Sequence, residues 1–181
     1  MKKILVTLIS VILLFALTGC GEIGNAEKAV KGTFETFKAS DMEKVSKYLD
    51  MDSMEIGDEE SGLSTALIFN NLFSKLEYEI VSSEKIDSDA VIVKTKITAL
   101  ELEPMMQKFI ASVMEFSFAN MDKPELSEDE TMKMYEDFFV KTSNDSTLAK
   151  KTEEIDIMVV KKDGKWMIQP DEIFAAAILG Q

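Results

Sequence analysis

The residues that could do chemistry are few in kind. The 181-residue chain has one cysteine, Cys20, and no histidine, and all 20 of its basic residues are lysine. Lack of histidine rules out Ser-His-Asp and Cys-His catalysis and removes the imidazole ligands of many zinc sites. Lack of arginine removes the bidentate fork that clamps carboxylate or phosphate. What remains is 33 Asp and Glu, together with Tyr48, Tyr78 and Tyr135. Paired carboxylates can run acid–base or glycosidase chemistry, but only at a set separation, and no spacing here singles out two of them. The run Asp50, Asp52, Asp58, Glu59 and Glu60 offers oxygen ligands of the kind calcium prefers. An EF-hand loop begun at Asp50 would need Asp or Asn where Met54 stands and Gly where Glu55 stands. The run therefore reads as a solvated loop, and neither a metal nor a cofactor is expected.

Cys20 is different, because its surroundings specify a chemistry. Lys2 and Lys3 precede an apolar run over 4–16. That run is shorter than the ~20 residues of a spanning helix and fits the hydrophobic region of a secretory signal peptide. Leu17-Thr18-Gly19-Cys20 follows directly. This combination resembles the lipobox of bacterial lipoproteins. The resemblance implies a thioether-linked diacylglycerol on Cys20, with cleavage between Gly19 and Cys20. Two acyl chains anchor a protein stably where one does so only marginally. The chain then divides into a signal peptide at 1–19, a lipidated tether at 20–25 and a single extracytoplasmic domain at 26–181. Position 21 is Gly, not the Asp of the inner-membrane retention signal, and an Ile-rich composition with lysine as the only base fits an AT-rich Gram-positive host. The expected location is the outer face of the cytoplasmic membrane.

Charge narrows the partners. Removing Lys2 and Lys3 with the signal peptide takes the formal charge from −13 to −15. Such a body repels nucleic acid, so no nucleic-acid partner is expected. It should also be repelled by anionic membrane within a Debye length of about 8 Å, leaving the lipid as the membrane contact.

Periodicity supplies the elements that would position a site. Ala26, Val30, Phe34 and Phe37 mark one face of a helix over 26–39. Ser40 with Glu43 is a capping box for a second, with Met42, Val45, Tyr48 and Leu49 as its apolar stripe. A third is expected over 63–76. The period then changes to two: Val91, Val93, Thr95, Ile97 and Ala99 alternate with Lys94, Lys96 and Thr98, paired to a strand over 78–86. Pro104 fits the first turn of a new helix, and the Ser127/Glu130 capping box opens another, to about Lys141. Strands over 153–162 and 165–169 flank Asp163-Gly164, a strong hairpin signal that pairs Lys161 with Trp166 and Val159 with Ile168. A final helix covers 171–179. The order ααα-ββ-αα-ββ-α predicts an α+β fold, with helices laid on an antiparallel sheet and a helical pair inserted between strand pairs.

Ala29, Phe34, Phe37, Asp41, Val45, Tyr48 and Leu49, with the closing strand-Asp163-Gly164-Lys165-Trp166 hairpin, resemble small Gram-positive lipoproteins of unknown function. Those carry a nuclear-transport-factor-2-like (cystatin-like) domain. The resemblance implies a curved antiparallel sheet wrapped around helices into a cone, and the helices between Pro104 and Lys141 are then an insertion. Enzymes on that fold use Asp, His, Tyr or Arg within the cavity. No such motif is recognisable in this chain.

Two constellations remain. Met105, Met106, Phe109, Ile110, Val113, Met114, Phe116, Phe118 and Met121 leave the first inserted helix almost no polar face, and Met132, Met134, Tyr135, Phe138 and Phe139 mark the second. Buried core is the preferred reading. The alternative is an apolar groove at Phe109, Val113, Phe116 and Phe138, since methionine suits adaptable binding surfaces. Lys150-Lys151 and Lys161-Lys162 with Lys165 form basic doublets, explained by solvated strand ends, with an anionic ligand as the rival. The sequence thus predicts a lipid-anchored, noncatalytic binding module whose partner is a protein, a peptide or an apolar ligand. A carboxylate- and tyrosine-based hydrolase or isomerase is the alternative.

Overall fold

The computed structural model describes residues 21–50 and 65–181. Cys20, Gly19 and most of the acidic run, Asp52 to Glu60, lie outside the described residues. Four strands form one antiparallel sheet in sequence order: β1 (Glu77–Lys85), β2 (Ala90–Leu100), β3 (Lys150–Lys162) and β4 (Lys165–Ile168). The α+β order expected from the sequence is the one observed.

The sheet is built by alternation. Val91, Val93, Thr95, Ile97 and Ala99 of β2 are all buried, and they face Val159, Ile157 and Ile155 of β3 in register. The opposite face is polar: Thr98 and Thr152 share a hydroxyl hydrogen bond of 2.8 Å, and Lys94 reaches both Glu154 and Asp156 at 3.8 Å. One buried face and one wet face are what a period of two produces in an antiparallel sheet. Lys161 pairs with Trp166 and Val159 with Ile168, as the two-residue turn requires. Asp163 and Gly164 have φ of 52° and 79°, and glycine meets that demand without a Cβ penalty.

Helix α1 (Glu22–Lys38) lies on the buried face. Phe34 stacks on Tyr78 with ring centroids 4.6 Å apart, and Phe37 meets Phe73 at 5.1 Å. The helix starts at Glu22, not near 26, so four residues expected as tether form its first turn; Gly24 is buried there, and Glu22 is the acidic residue of that turn. The short α2 (Met42–Val45) is capped by Asp41, whose carboxylate accepts from the Lys44 N–H. Ser40 is not the cap; it sits at a φ of 54° in the turn between the helices. Beyond α2 the chain crosses β4: Ile168 N–H donates to Tyr48 O at 2.7 Å, and Asp50 N–H to Ile168 O at 3.0 Å. That bridge covers the outer edge of β4.

Helix α3 (Thr65–Leu72) tightens into a 3-10 turn, Phe73–Lys75, before β1. Helices α4 (Leu102–Ala119) and α5 (Glu128–Ser143) form the insertion, and α5 carries the full Ser127/Glu130 capping box. The last helix, α6 (Glu172–Ile178), is capped by Asp171 and packs Phe174 against Phe34 at 6.3 Å. Gly180 closes it at a φ of 63°, where a Cβ would stand 2.1 Å from the Leu100 carbonyl oxygen. Only glycine lets the C-terminus sit on the end of β2.

The preferred reading of the Met/Phe helices as buried core is not what forms. Within α4 only Met105 is buried, while Ile110 and Met114 are each 52% exposed and Phe118 64%. The reason is topological. The chain leaves the end of β2 into α4, which packs on α5, and α5 packs on α3; neither makes its main packing on the sheet. Each helix therefore has one side without a neighbour among the described residues.

Candidate functional site

The side chains on the near half of α4 enclose a concavity of about 510 Å³. Its floor is aromatic and aliphatic: Phe109 sits edge-on to Tyr135 at 6.4 Å and to Phe139 at 6.0 Å. Leu102, Met106, Ile110, Val113 and Met114 form the α4 wall, Ile68 and Leu72 of α3 the opposite wall, and Leu179 closes one end. The size falls within the roughly 300–1,000 Å³ of small-molecule sites.

The local sequence explains why this space stays open. Helix α4 has apolar residues at 102, 105, 106, 109, 110, 113 and 114, a stripe wider than one partner helix can cover. Met105 and Phe109 point toward the body, while Ile110 and Met114 are left on the rim. The hairpin is held in place from its polar side. Lys108 donates to Asp145 Oδ2 and to Thr147 Oγ1, both at 2.6 Å, tying α4 to the loop after α5. Lys75, lowered from its usual value by burial and by nearby Lys150, donates to Ser143 O and to Asn144 Oδ1, tying that loop to the 3-10 turn.

Of the four residues expected to line a groove, Phe109 and Val113 do so. Phe116 and Phe138 do not; they pack on each other, centroids 5.7 Å apart, further along the hairpin. Sequence reasoning marked the α4 and α5 residues as apolar but had no way to bring α3 and Leu179 to them. Those contacts link positions 30 or more residues apart, and the period of a helix says which face is apolar but not which distant element will meet it.

The chemistry the lining offers is narrow. Tyr135 brings its only side-chain oxygen, and no carboxylate or ammonium group is among the lining residues. Among the described residues, carboxyls with displaced pKa values lie elsewhere and are displaced downward. Lysine ammonium groups hold Asp41, Glu77 and Asp145 below the usual range, and backbone N–H donors do the same for Glu22 and Glu130. Such groups are poor proton donors near neutral pH. Among the described residues no cluster of three metal-ligating side chains occurs, and no helix is long and apolar enough to cross a membrane.

A second concavity, polar in character, lies at the other end of the sheet beside the start of α1. Gly21, Glu22, Asn25 and Lys28 line one side, and Lys47, Tyr48, Lys161, Lys165 and Trp166 the other.

No family model matches the chain, and no curated protein matches it. Among solved structures it is similar to ycdA of Bacillus subtilis subsp. subtilis str. 168, a protein designated a lipoprotein, with 16% identity and a TM-score of 0.47. The alignment covers 80% of this chain and 43% of that one, so this chain spans less than half the length of that neighbour.

Proposed function

We propose that the chain is a lipid-anchored lipoprotein of the outer face of the cytoplasmic membrane, and that its domain binds an aliphatic chain without catalysing a reaction. The anchor rests on Leu17-Thr18-Gly19-Cys20 behind a short apolar run. The helix-on-sheet layering with a closing Asp163-Gly164 hairpin supports the cystatin-like resemblance.

One observation carries the ligand class: the groove between α3, α4 and α5 has a single side-chain oxygen in its lining. An extended peptide would bring backbone N–H and C=O groups, each costing about 1–3 kcal/mol when buried without a partner. An aliphatic chain brings none. The same lining supports the noncatalytic reading, because acid–base chemistry needs a proton carrier beside the ligand.

The test is a titration of the domain beginning at Gly21 with a fluorescent fatty acid, followed by native mass spectrometry. Saturable binding of one chain per domain, with circular dichroism unchanged, is the expected result. Absence of binding, or turnover of the ligand, overturns the reading.

A further inference from the structure

The lipidated cysteine and the folded domain are closer than the sequence implied. Helix α1 begins at Glu22, so Gly21 alone separates it from Cys20, and consecutive Cα atoms are about 3.8 Å apart. No linker remains to lift the domain a Debye length, about 8 Å, off the surface that holds the lipid. Gly21 itself lines the polar concavity, so whatever that concavity presents is presented to the membrane.

It presents lysine. Lys28 from α1, Lys47 from the segment after α2, and Lys161 and Lys165 from either side of the Asp163-Gly164 turn converge there, against one carboxylate, Glu22. Glu22 is paired with Lys85 at 3.4 Å, and Asp50, just outside the lining, is held by Lys162 at 3.0 Å. Asp87, Asp89 and Asp163 stand on the neighbouring turns, outside the lining. Among the described residues Lys28, Lys47, Lys161 and Lys165 make no ion pair. In a protein with a formal charge of −13 over its whole sequence, the lining formed by the described residues is cationic, four lysines against one carboxylate. Trp166 and Tyr48 add the amphipathic aromatic side chains favoured at membrane–water interfaces.

We infer that this lysine-lined concavity is a seat for the anionic phosphate headgroups of the membrane in which Cys20 is anchored, fixing the domain's orientation. The inference rests on the lipoprotein reading, and it overrides two sequence expectations. The body as a whole is repelled, but screening confines that repulsion to the charges nearest the surface, and in the lining there four lysines face the single carboxylate of Glu22. The Lys161-Lys162 doublet with Lys165 is then more than a solvated strand end.

The experiment uses the full lipidated protein in vesicles, with Trp166, the sole tryptophan, as energy donor to a dansyl-headgroup lipid. Flotation with the vesicles reads the anchor separately. Transfer should be stronger in vesicles one-third phosphatidylglycerol than in pure phosphatidylcholine, should fall with added salt, and should survive millimolar inorganic phosphate. Neutralising Lys28 and Lys165 together (Lys28→Gln, Lys165→Gln) should lower the docked-to-free ratio roughly 25-fold, about fivefold per lysine. Lys141→Gln on α5 should leave it unchanged. Protein that floats but transfers equally in both vesicle types, or equally with both lysines neutralised, overturns the seat while leaving the anchor intact. Protein that does not float overturns both. Lipid-dependent transfer that emerges only after the acids between Asp52 and Glu60 are changed to amides also overturns it. In that case the chain's own carboxylates are the occupant.

Discussion

Replacing Ile110 by Asp separates a groove from a core. Ile110 is 52% exposed on the rim of the apolar concavity, so folding buries about half of its side chain. Full burial of an isoleucine contributes about 1.5–3 kcal/mol, which puts the folding loss at about 0.7–1.5 kcal/mol. A bound chain covers the remaining half, worth a similar amount, and now also desolvates a carboxylate, which costs more than the about 1–3 kcal/mol of a neutral polar group. The affinity loss should therefore be at least about 2 kcal/mol, on the order of 30-fold or more in Kd. Urea unfolding gives the first quantity, and fatty-acid titration of the domain from Gly21 gives the second. Ile110→Asn keeps the folding loss and softens the affinity loss, which isolates the charge. Unchanged affinity in Ile110→Asp would refute the placement of the ligand. A stability loss above about 3 kcal/mol would place Ile110 in a closed core instead.

Phe116→Ala should cost about 1–2 kcal/mol, because Phe116 is half-buried against Phe138, whereas Phe34→Ala, with Phe34 fully buried, should cost about 3–5; equal losses in urea unfolding would contradict the described packing. Cys20→Ala should abolish fatty-acid labelling in cells and leave unprocessed precursor, and labelling equal to wild type would sink the lipobox reading. Asp145→Asn should lower Tm at neutral pH by releasing Lys108 and Thr147. The Asp145 carboxyl is depressed by Lys108 first and Thr147 second, so its contribution is present above the ordinary Asp value and lost only as pH falls through the lower folded value. A Tm gap that closes while the pH is still above about 3.9 would contradict that sign.

The sheet and its register were legible because period two and the Asp163-Gly164 turn act locally: Lys161 opposite Trp166 follows from turn length alone. Helix identities were equally legible, down to the Ser127/Glu130 box. Helix starts were less so. Ser40 and Asp41 both have capping side chains, and only the backbone geometry, with Ser40 at a positive φ, selects Asp41. The groove was half legible. Phe109 and Val113 follow from composition, but Leu179 reaches them because Gly180 lets the C-terminus lie on the end of β2, and no local pattern encodes that. Burial of α4 was misread for a related reason: an apolar helix predicts that something covers it, not that the same chain does.

The length of β2 has a consequence for how a ligand could arrive. Its eleven residues rise by about 3.3 Å each, running from the turn beside the lysine-lined end to the start of α4. If the proposed anchor and lysine seat hold that end of the sheet at the membrane, β2 acts as a ruler that sets the start of α4, and with it the apolar groove, roughly 30 Å along the strand from it. An acyl chain in the host bilayer would have to leave it completely to cross that gap. In that proposed orientation loading by lateral diffusion would be closed, and the groove would be filled by monomers shed into the surrounding layer or handed over by another protein. Occupancy should then follow the free-monomer concentration of an amphiphile and not its abundance in the membrane.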